Sequence, residues 1–281
     1  MDILPLPFNA RTRVHEYGGG DFAVIGGEVY FSNFVDQRLY RLKFGNAPRP
    51  ITPQGDLRYA DGVIDSRRGR IVCVREDHSV AGREALNALV SLRLEGGEIG
   101  DILAYGNDFY SSPRLSPDGS QIAWLTWNHP NMPWDGTELW VGEFSDDGGS
   151  LSRMELISGG VGESIFQPEW SPDGNMYFVS DRTGWWNLYR FRDGHIEPLC
   201  AMEAEFGVPQ WIFGMSTYAF ESADRIICTY SADGVWHLAS LHAATGKLEE
   251  IESPYTEISE LRAASGCAVF AAGSPHDPTS I

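Results

Sequence analysis

Basic residues are scarce in this 281-residue chain: 21 Lys and Arg stand against 39 Asp and Glu, a formal net charge of −18. That balance argues against a nucleic-acid binder, because a phosphate backbone requires a basic footprint. Long apolar runs are missing, and none approaches the ~18 residues of a membrane span. The amino terminus, Met1-Asp2-Ile3-Leu4-Pro5-Leu6-Pro7, lacks the basic region and apolar stretch of a signal peptide. Cysteine is limited to Cys73, Cys200, Cys228 and Cys267, with no two close in sequence, so no zinc or redox spacing occurs. Cys73, Cys228 and Cys267 sit in apolar strand-like runs, which predicts buried free thiols in a cytoplasmic protein.

Catalytic and cofactor signatures are missing as well. Gly214-Met215-Ser216 begins a nucleophile elbow, but position 218 is Tyr rather than Gly. There is no P-loop, dinucleotide fingerprint, zinc-protease motif or calcium loop. Gly18-Gly19-Gly20 has neither the preceding strand nor the following helix of a phosphate cradle. His195 sits beside a hairpin glycine and His242 is expected in a surface turn, so neither reads as catalytic. No catalytic residue, cofactor or metal is expected.

What the chain does have is a repeat. With 42% hydrophobic and 12% aromatic residues it can build a sizeable core. Ser116-Pro117-Asp118-Gly119 and Ser171-Pro172-Asp173-Gly174 lie 55 residues apart, each between two short apolar runs. Pro presets the second turn position and Gly suits the last, so each reads as a hairpin. Apolar runs begin at Val29, Ile71, Ile122, Met176, Ile226 and Ala268. A tighter series, Leu39, Leu89, Leu139, Leu188 and Leu238, is spaced 50, 50, 49 and 50. A third set lies near Ile51, Ile102, Leu156, Leu199 and Ile251. Residues 83–94 could be helical, but Leu89 falls on the lattice, which predicts a strand.

Several short strands at a period near 50 are the pattern of a β-propeller. A β-sandwich also has short strands and frequent turns, but no reason to hold five leucines in register. The expectation is an all-β, TolB-like propeller occupying residues 1–281 as a single domain. It has about five full blades plus partial blades at both ends. The sixth repeat begins near Ser259 and reaches Ala268-Val269-Phe270. Asp2-Ile3-Leu4-Pro5-Leu6-Pro7 reads as the last strand of a preceding blade, by comparison with Arg49-Pro50-Ile51-Thr52-Pro53. Both ends then fall inside blades, as in part of a longer protein or a ring closed by pairing its termini.

Three segments depart from the repeat, and loops longer than a fold requires are where binding concentrates. Residues 124–140 carry Trp124, Trp127, Trp134 and Trp140. Trp124 and Trp140 are expected in the core. Trp127, His129 and Trp134 belong to a proline-stiffened loop that either binds a ligand or packs between blades. His15, Glu16 and Tyr17 form a second candidate loop. Glu203 and Glu205 form a third: two carboxylates that either hold a substrate amine or sit solvated in a loop.

The runs Arg11 to Gly20, Trp127 to Trp140, and Phe166 to Gly174 resemble the propeller of prolyl oligopeptidase family serine peptidases. The acylaminoacyl-peptidase and dipeptidyl-aminopeptidase-like branch is the one most similar. The resemblance spans residues 5–275. It implies a C-terminal α/β-hydrolase domain, absent from this sequence, that carries the Ser-Asp-His triad. It also implies a propeller that covers the active site and admits small or unfolded peptides. Glu203 and Glu205 do not match the family's amine-binding glutamates by motif.

The functional expectation is a propeller that gates or docks peptide substrate for a covalently linked hydrolase domain and is inactive alone. The alternative is a stand-alone propeller serving as a protein or peptide interaction module, with homo-oligomer formation open in either case. A propeller enzyme acting at its axial channel would need His or Asp recurring at equivalent blade positions, and none recurs.

Overall fold

The computed structural model describes residues 3–281. Five four-stranded antiparallel sheets follow one another along the chain, each a meander whose spatial order is its sequence order. Blade 1 holds β1 (Phe22–Ile25), β2 (Glu28–Ser32), β3 (Leu39–Lys43) and β4 (Arg49–Pro50). Blade 2 holds β5 (Leu57–Asp65), β6 (Arg70–Asp77), β7 (Leu86–Arg93) and β8 (Asp101–Tyr105). Blade 3 holds β9 (Phe109–Leu115), β10 (Gln121–Trp127), β11 (Glu138–Phe144) and β12 (Leu151–Gly159). Blade 4 holds β13 (Ile165–Trp170), β14 (Met176–Ser180), β15 (Asn187–Arg192) and β16 (His195–Pro198). Blade 5 holds β17 (Tyr218–Phe220), β18 (Arg225–Ala232), β19 (Val235–His242) and β20 (Leu248–Ile251). A two-stranded sheet of β21 (Glu257–Ala264) and β22 (Cys267–Gly273) follows. No helix is found among the described residues. The architecture is the expected β-propeller.

The second strand of each blade is buried on both faces, which is why it reads as a continuous apolar run. Its residues alternate between the two neighbouring interfaces. In β6, Ile71 and Cys73 face blade 1 while Val72 and Val74 face blade 3. In β10, Ile122 and Trp124 face blade 2 while Ala123 and Leu125 face blade 4. The leucine series has a single explanation. Leu39, Leu89, Leu139, Leu188 and Leu238 all lie on the third strand of a blade and all face the following blade. All are buried, and each contributes roughly 2 kcal/mol by leaving water.

The two Ser-Pro-Asp-Gly segments form the β9–β10 and β13–β14 turns. Gly119 N donates to Ser116 O at 2.8 Å and Gly174 N to Ser171 O at 2.9 Å. Residues 83–94 contain β7, a strand, as the lattice required.

Two expectations are corrected. Ile3 to Pro7 form no strand. Pro5 and Pro7 offer no N–H to a ladder, Phe8 N closes a turn on Pro5 O at 3.1 Å, and Leu6 is 94% exposed. Instead Leu4 and Phe8 pack on the outward face of blade 1, against the cluster of Phe31, Tyr40 and Leu42. Asp2 of that segment lies outside the described residues. Cys73 and Cys228 are buried and Cys200 is half-buried, but Cys267, the first residue of β22, is exposed. Cys267 pairs with Ala264 directly beside the β21–β22 turn, at the tip of the hairpin, so its apolar sequence does not bury it.

Candidate functional site

In a meander blade, the first strand starts at the end of the ring where the preceding blade's fourth strand finishes. The connection between second and third strands returns to that same end. Three departures from the repeat gather there: the segment before β1, the β10–β11 connection, and the connector from β16 to β17.

The segment before β1 is a compact turn. His15 (φ 53) and Glu16 (φ 64) adopt left-handed backbone, and Gly18 N closes on Val14 O at 3.0 Å. Val14 is buried among residues of blades 2 and 3 and holds the turn down. The β16–β17 connector crosses this segment. Phe213 N donates to Gly18 O at 2.9 Å, and Gly19 and Phe213 form a parallel bridge. Gly19 and Gly20 make room for this crossing, whereas Gly18 is held by its own segment, where a Cβ would meet the Thr12 carbonyl. A Cβ on Gly19 would lie 2.5 Å from Phe213 O, and one on Gly20 would lie 2.9 Å from both Asp61 Cα and Phe213 Cβ. Their φ angles of +87° and +55° exclude most side chains in any case.

Where the three segments meet, aromatic rings enclose a cavity of about 180 Å³. Phe109 and Trp127 stack at 5.2 Å between centroids and form one wall. His15 packs edge-on against both, at 5.1 and 5.4 Å, and lies 4.7 Å from Phe213. On the opposite side Trp134 and Trp211 lie 4.4 Å apart, and Tyr17 meets Trp211 at 5.6 Å. Trp127 is buried, whereas Tyr17 (59% exposed) and Trp211 (50%) form the rim. Such ring pairs contribute about 1 kcal/mol each beyond area burial, so the cavity is held open by its own walls.

Its polar atoms are few. His15 N donates to Glu76 Oε1 at 2.7 Å. Burial pushes the His15 imidazole down to about 4, with the Asn87 side chain opposing the shift, so the ring is neutral at pH 7. Gln210 Nε2 donates to Ser111 Oγ at 2.9 Å, while Gln210 Oε1 is buried without a partner. Asn131 Nδ2 is committed to Val161 O at 3.0 Å. No Asp, Glu, Lys or Arg lines the cavity. Among the described residues no group of three His, Cys, Asp or Glu is arranged to hold a metal.

Of the residues singled out in the sequence, His15, Tyr17, Trp127, His129 and Trp134 line this one cavity. Glu16 points away and pairs with Arg58 at 3.3 Å. Glu203 is exposed. Glu205 accepts the Trp186 N–H at 2.8 Å and its backbone bridges Ser231, so it anchors the connector. Neither of the two glutamates reaches the cavity. Sequence reasoning missed Phe109, Gln210, Trp211 and Phe213. The available signal was the long stretch between the Leu199 and Ile226 lattice positions, which carries Pro209-Gln210-Trp211-Ile212-Phe213.

Fold and site together define a β-propeller with an aromatic-lined cavity at one end of its ring. No family model and no curated protein matches the chain. Among solved structures, a puromycin hydrolase is 36% identical over 99% of this chain, with a TM-score of 0.91. A Mycobacterium tuberculosis puromycin-hydrolyzing peptidase is 35% identical over the whole chain, with a TM-score of 0.92. This chain spans 45% and 46% of their respective lengths. It is a propeller of the kind that prolyl oligopeptidase family peptidases carry. A TolB from Agrobacterium tumefaciens (17% identity, 80% of this chain and 76% of that one, TM-score 0.55) shares the fold.

Proposed function

We propose that this propeller receives peptide substrate at its aromatic cavity and controls the passage of substrate to a linked α/β-hydrolase domain. The observation that carries this reading is the convergence of three extended connections on one end of the ring. A propeller needs none of them to close, and together they build a cavity walled by rings. Two relatives above 30% identity are described as hydrolysing puromycin. A third structure of that kind, 36% identical over 99% of this chain and 45% of its own, is described as a complex with PGG. This chain has no nucleophile elbow and is not expected to hydrolyse peptides by itself.

The test is made on the polypeptide as it occurs in its cells. An antibody raised against this chain should detect a band well above 31.1 kDa that a fluorophosphonate serine probe labels. In that enzyme, Trp134→Ala should raise KM for peptides with little change in kcat. An unlabelled band at the size of this chain would replace this reading with a free-standing interaction propeller.

A further inference from the structure

We propose that the cavity is a site for an alkylated cation, a tertiary or quaternary ammonium group held against ring faces within an acidic surround. This goes beyond the peptide reading, since it names a ligand chemistry that a free small molecule and a methylated side chain share.

Two ring walls supply the attraction. Phe109 and Trp127 stand on one side, and Tyr17, Trp134 and Trp211 on the other. The negative face of such a ring draws a cation that comes within about 6 Å of its centroid. Tyr17 and Trp211 are exposed at the rim, so a ligand reaches them directly. His15 is neutral at pH 7, because burial pushes its imidazole down to about 4, and it does not repel the charge. Apolar cavities of about 150 Å³ take benzene, so the space of about 180 Å³ admits one compact alkylammonium head.

The surround decides between a cation and a neutral group of the same shape. No Lys or Arg lines the cavity, but four carboxylates bond to residues that do. Glu76 accepts the His15 backbone N–H at 2.7 Å, Asp108 that of His129 at 2.9 Å and Asp135 that of Met132 at 2.9 Å. Glu84 faces the His129 ring at 3.3 Å. Among the described residues Arg58, 3.7 Å from Glu76, is the one guanidinium paired with any of the four. The local field is therefore negative, in keeping with the net charge of −18.

The same carboxylates stand behind the walls and not among them, so none offers an acceptor inside the cavity. A primary ammonium is strongly hydrated and gives up its water at high cost. An alkylated one presents C–H groups to the rings and keeps its charge.

The experiment is calorimetric titration of the polypeptide at its native length. The ligands are choline, its uncharged carbon isostere dimethylbutanol, and a short peptide carrying either lysine or trimethyllysine. Choline should bind saturably and about tenfold tighter than dimethylbutanol, and the trimethyllysine peptide should exceed the lysine peptide by a similar factor. Trp211→Leu keeps an apolar rim but removes a ring. It should weaken choline about tenfold while dimethylbutanol changes little. Asp135→Asn keeps an acceptor for the Met132 N–H but removes a charge. It should weaken choline about twofold at low salt and leave dimethylbutanol unmoved. Trp185→Leu, a partly exposed ring outside the cavity, is the control and should alter neither ligand. Choline binding no tighter than dimethylbutanol would overturn the proposal. So would a lysine peptide matching its trimethylated form, or a choline affinity unmoved by both cavity substitutions. If choline binds as expected but no peptide does, the cation site stands, its ligand is a free small molecule and the peptide role falls. If peptides bind regardless of methylation and choline does not, the peptide role stands and the cation site falls.

Discussion

The Asp61 carboxylate accepts the Ser112 backbone N–H at 2.6 Å and so joins the first strands of blades 2 and 3. Asp61 itself is a bulge residue with φ 52, and its own N–H donates back to Gly20 O of blade 1's lead-in at 2.9 Å. The same left-handed bulge recurs at Ser112, Gln167 and Glu260 in β9, β13 and β21. Gln167 repeats the linkage from blade 4 to blade 5, accepting Thr217 N–H at 2.8 Å and donating to Tyr218 O at 2.7 Å. The first strands of successive sheets therefore share one recurring backbone conformation.

Asp61→Ala is expected to cost about 3 kcal/mol, since it orphans a buried N–H and leaves Arg114 with Glu169 as its only carboxylate. Equilibrium urea denaturation should show a lower midpoint at unchanged slope. An unaltered midpoint would mean the blades are held together without this link.

Gly19→Ala combines a left-handed backbone with a close approach to Phe213 O. Destabilisation of about 2 kcal/mol is expected, together with a red shift of tryptophan emission as the connector lifts from the cavity. Gly26→Ala is the control. Its φ is also positive but it has open space around it, so it should lower stability without moving the emission.

His15 gives a pH dependence of known sign. Its folded-state value, about 4, lies below the ordinary 6.5 because burial disfavours the imidazolium. The unfolded chain therefore binds the extra proton first. The contribution of the buried neutral ring is fully present above pH 6.5 and is lost as pH falls toward 4. Asp21 and Asp181, whose carboxyls burial raises, act in the opposite sense and are common to wild type and variant. His15→Phe should narrow the difference in denaturation midpoint between pH 7 and pH 4.5. An equal difference in both proteins would place the acid sensitivity elsewhere.

The two connector glutamates should behave differently. Glu205→Ala removes the acceptor for Trp186 N–H and should cost about 1 kcal/mol. Glu203→Ala, at an exposed position, should stay within about 0.5 kcal/mol of wild type. Neither should change ligand binding at the cavity, which neither side chain lines. A large loss of binding in either variant would bring that pair back into the site.

The blades were legible because each strand buries one parity of residues against each neighbour, and the leucine on every third strand must meet the next blade. Leu89 identified β7 as a strand for that reason, although residues 83–94 alone could have been helical. Half of the cavity was legible too, since Trp127 to Trp134 and His15 to Tyr17 interrupt the lattice with aromatic residues. The other half was hidden by chain separation. Nothing local in Gln210-Trp211-Ile212-Phe213 says that it will cross the ring to lie on Gly19. The triple glycine was visible, but the cause of Gly19 and Gly20, the passage of a second backbone, belongs to tertiary structure alone. The proline-rich start misled because Arg49-Pro50-Ile51 and Leu4-Pro5-Leu6 look alike, while only the former has an open strand, β3, to pair with.

Blades joined only to their neighbours form a linear array, and such an array frays from its ends. The crossing of Phe213 over Gly19 adds a tie of a different order, between the lead-in to the first blade and the connector that feeds the fifth. Opening of either segment must release the other. In hydrogen-exchange terms, the amides of Gly18 to Asp21 and of Phe213 should open as one cooperative unit, and anything that occupies the cavity should slow exchange at both segments together.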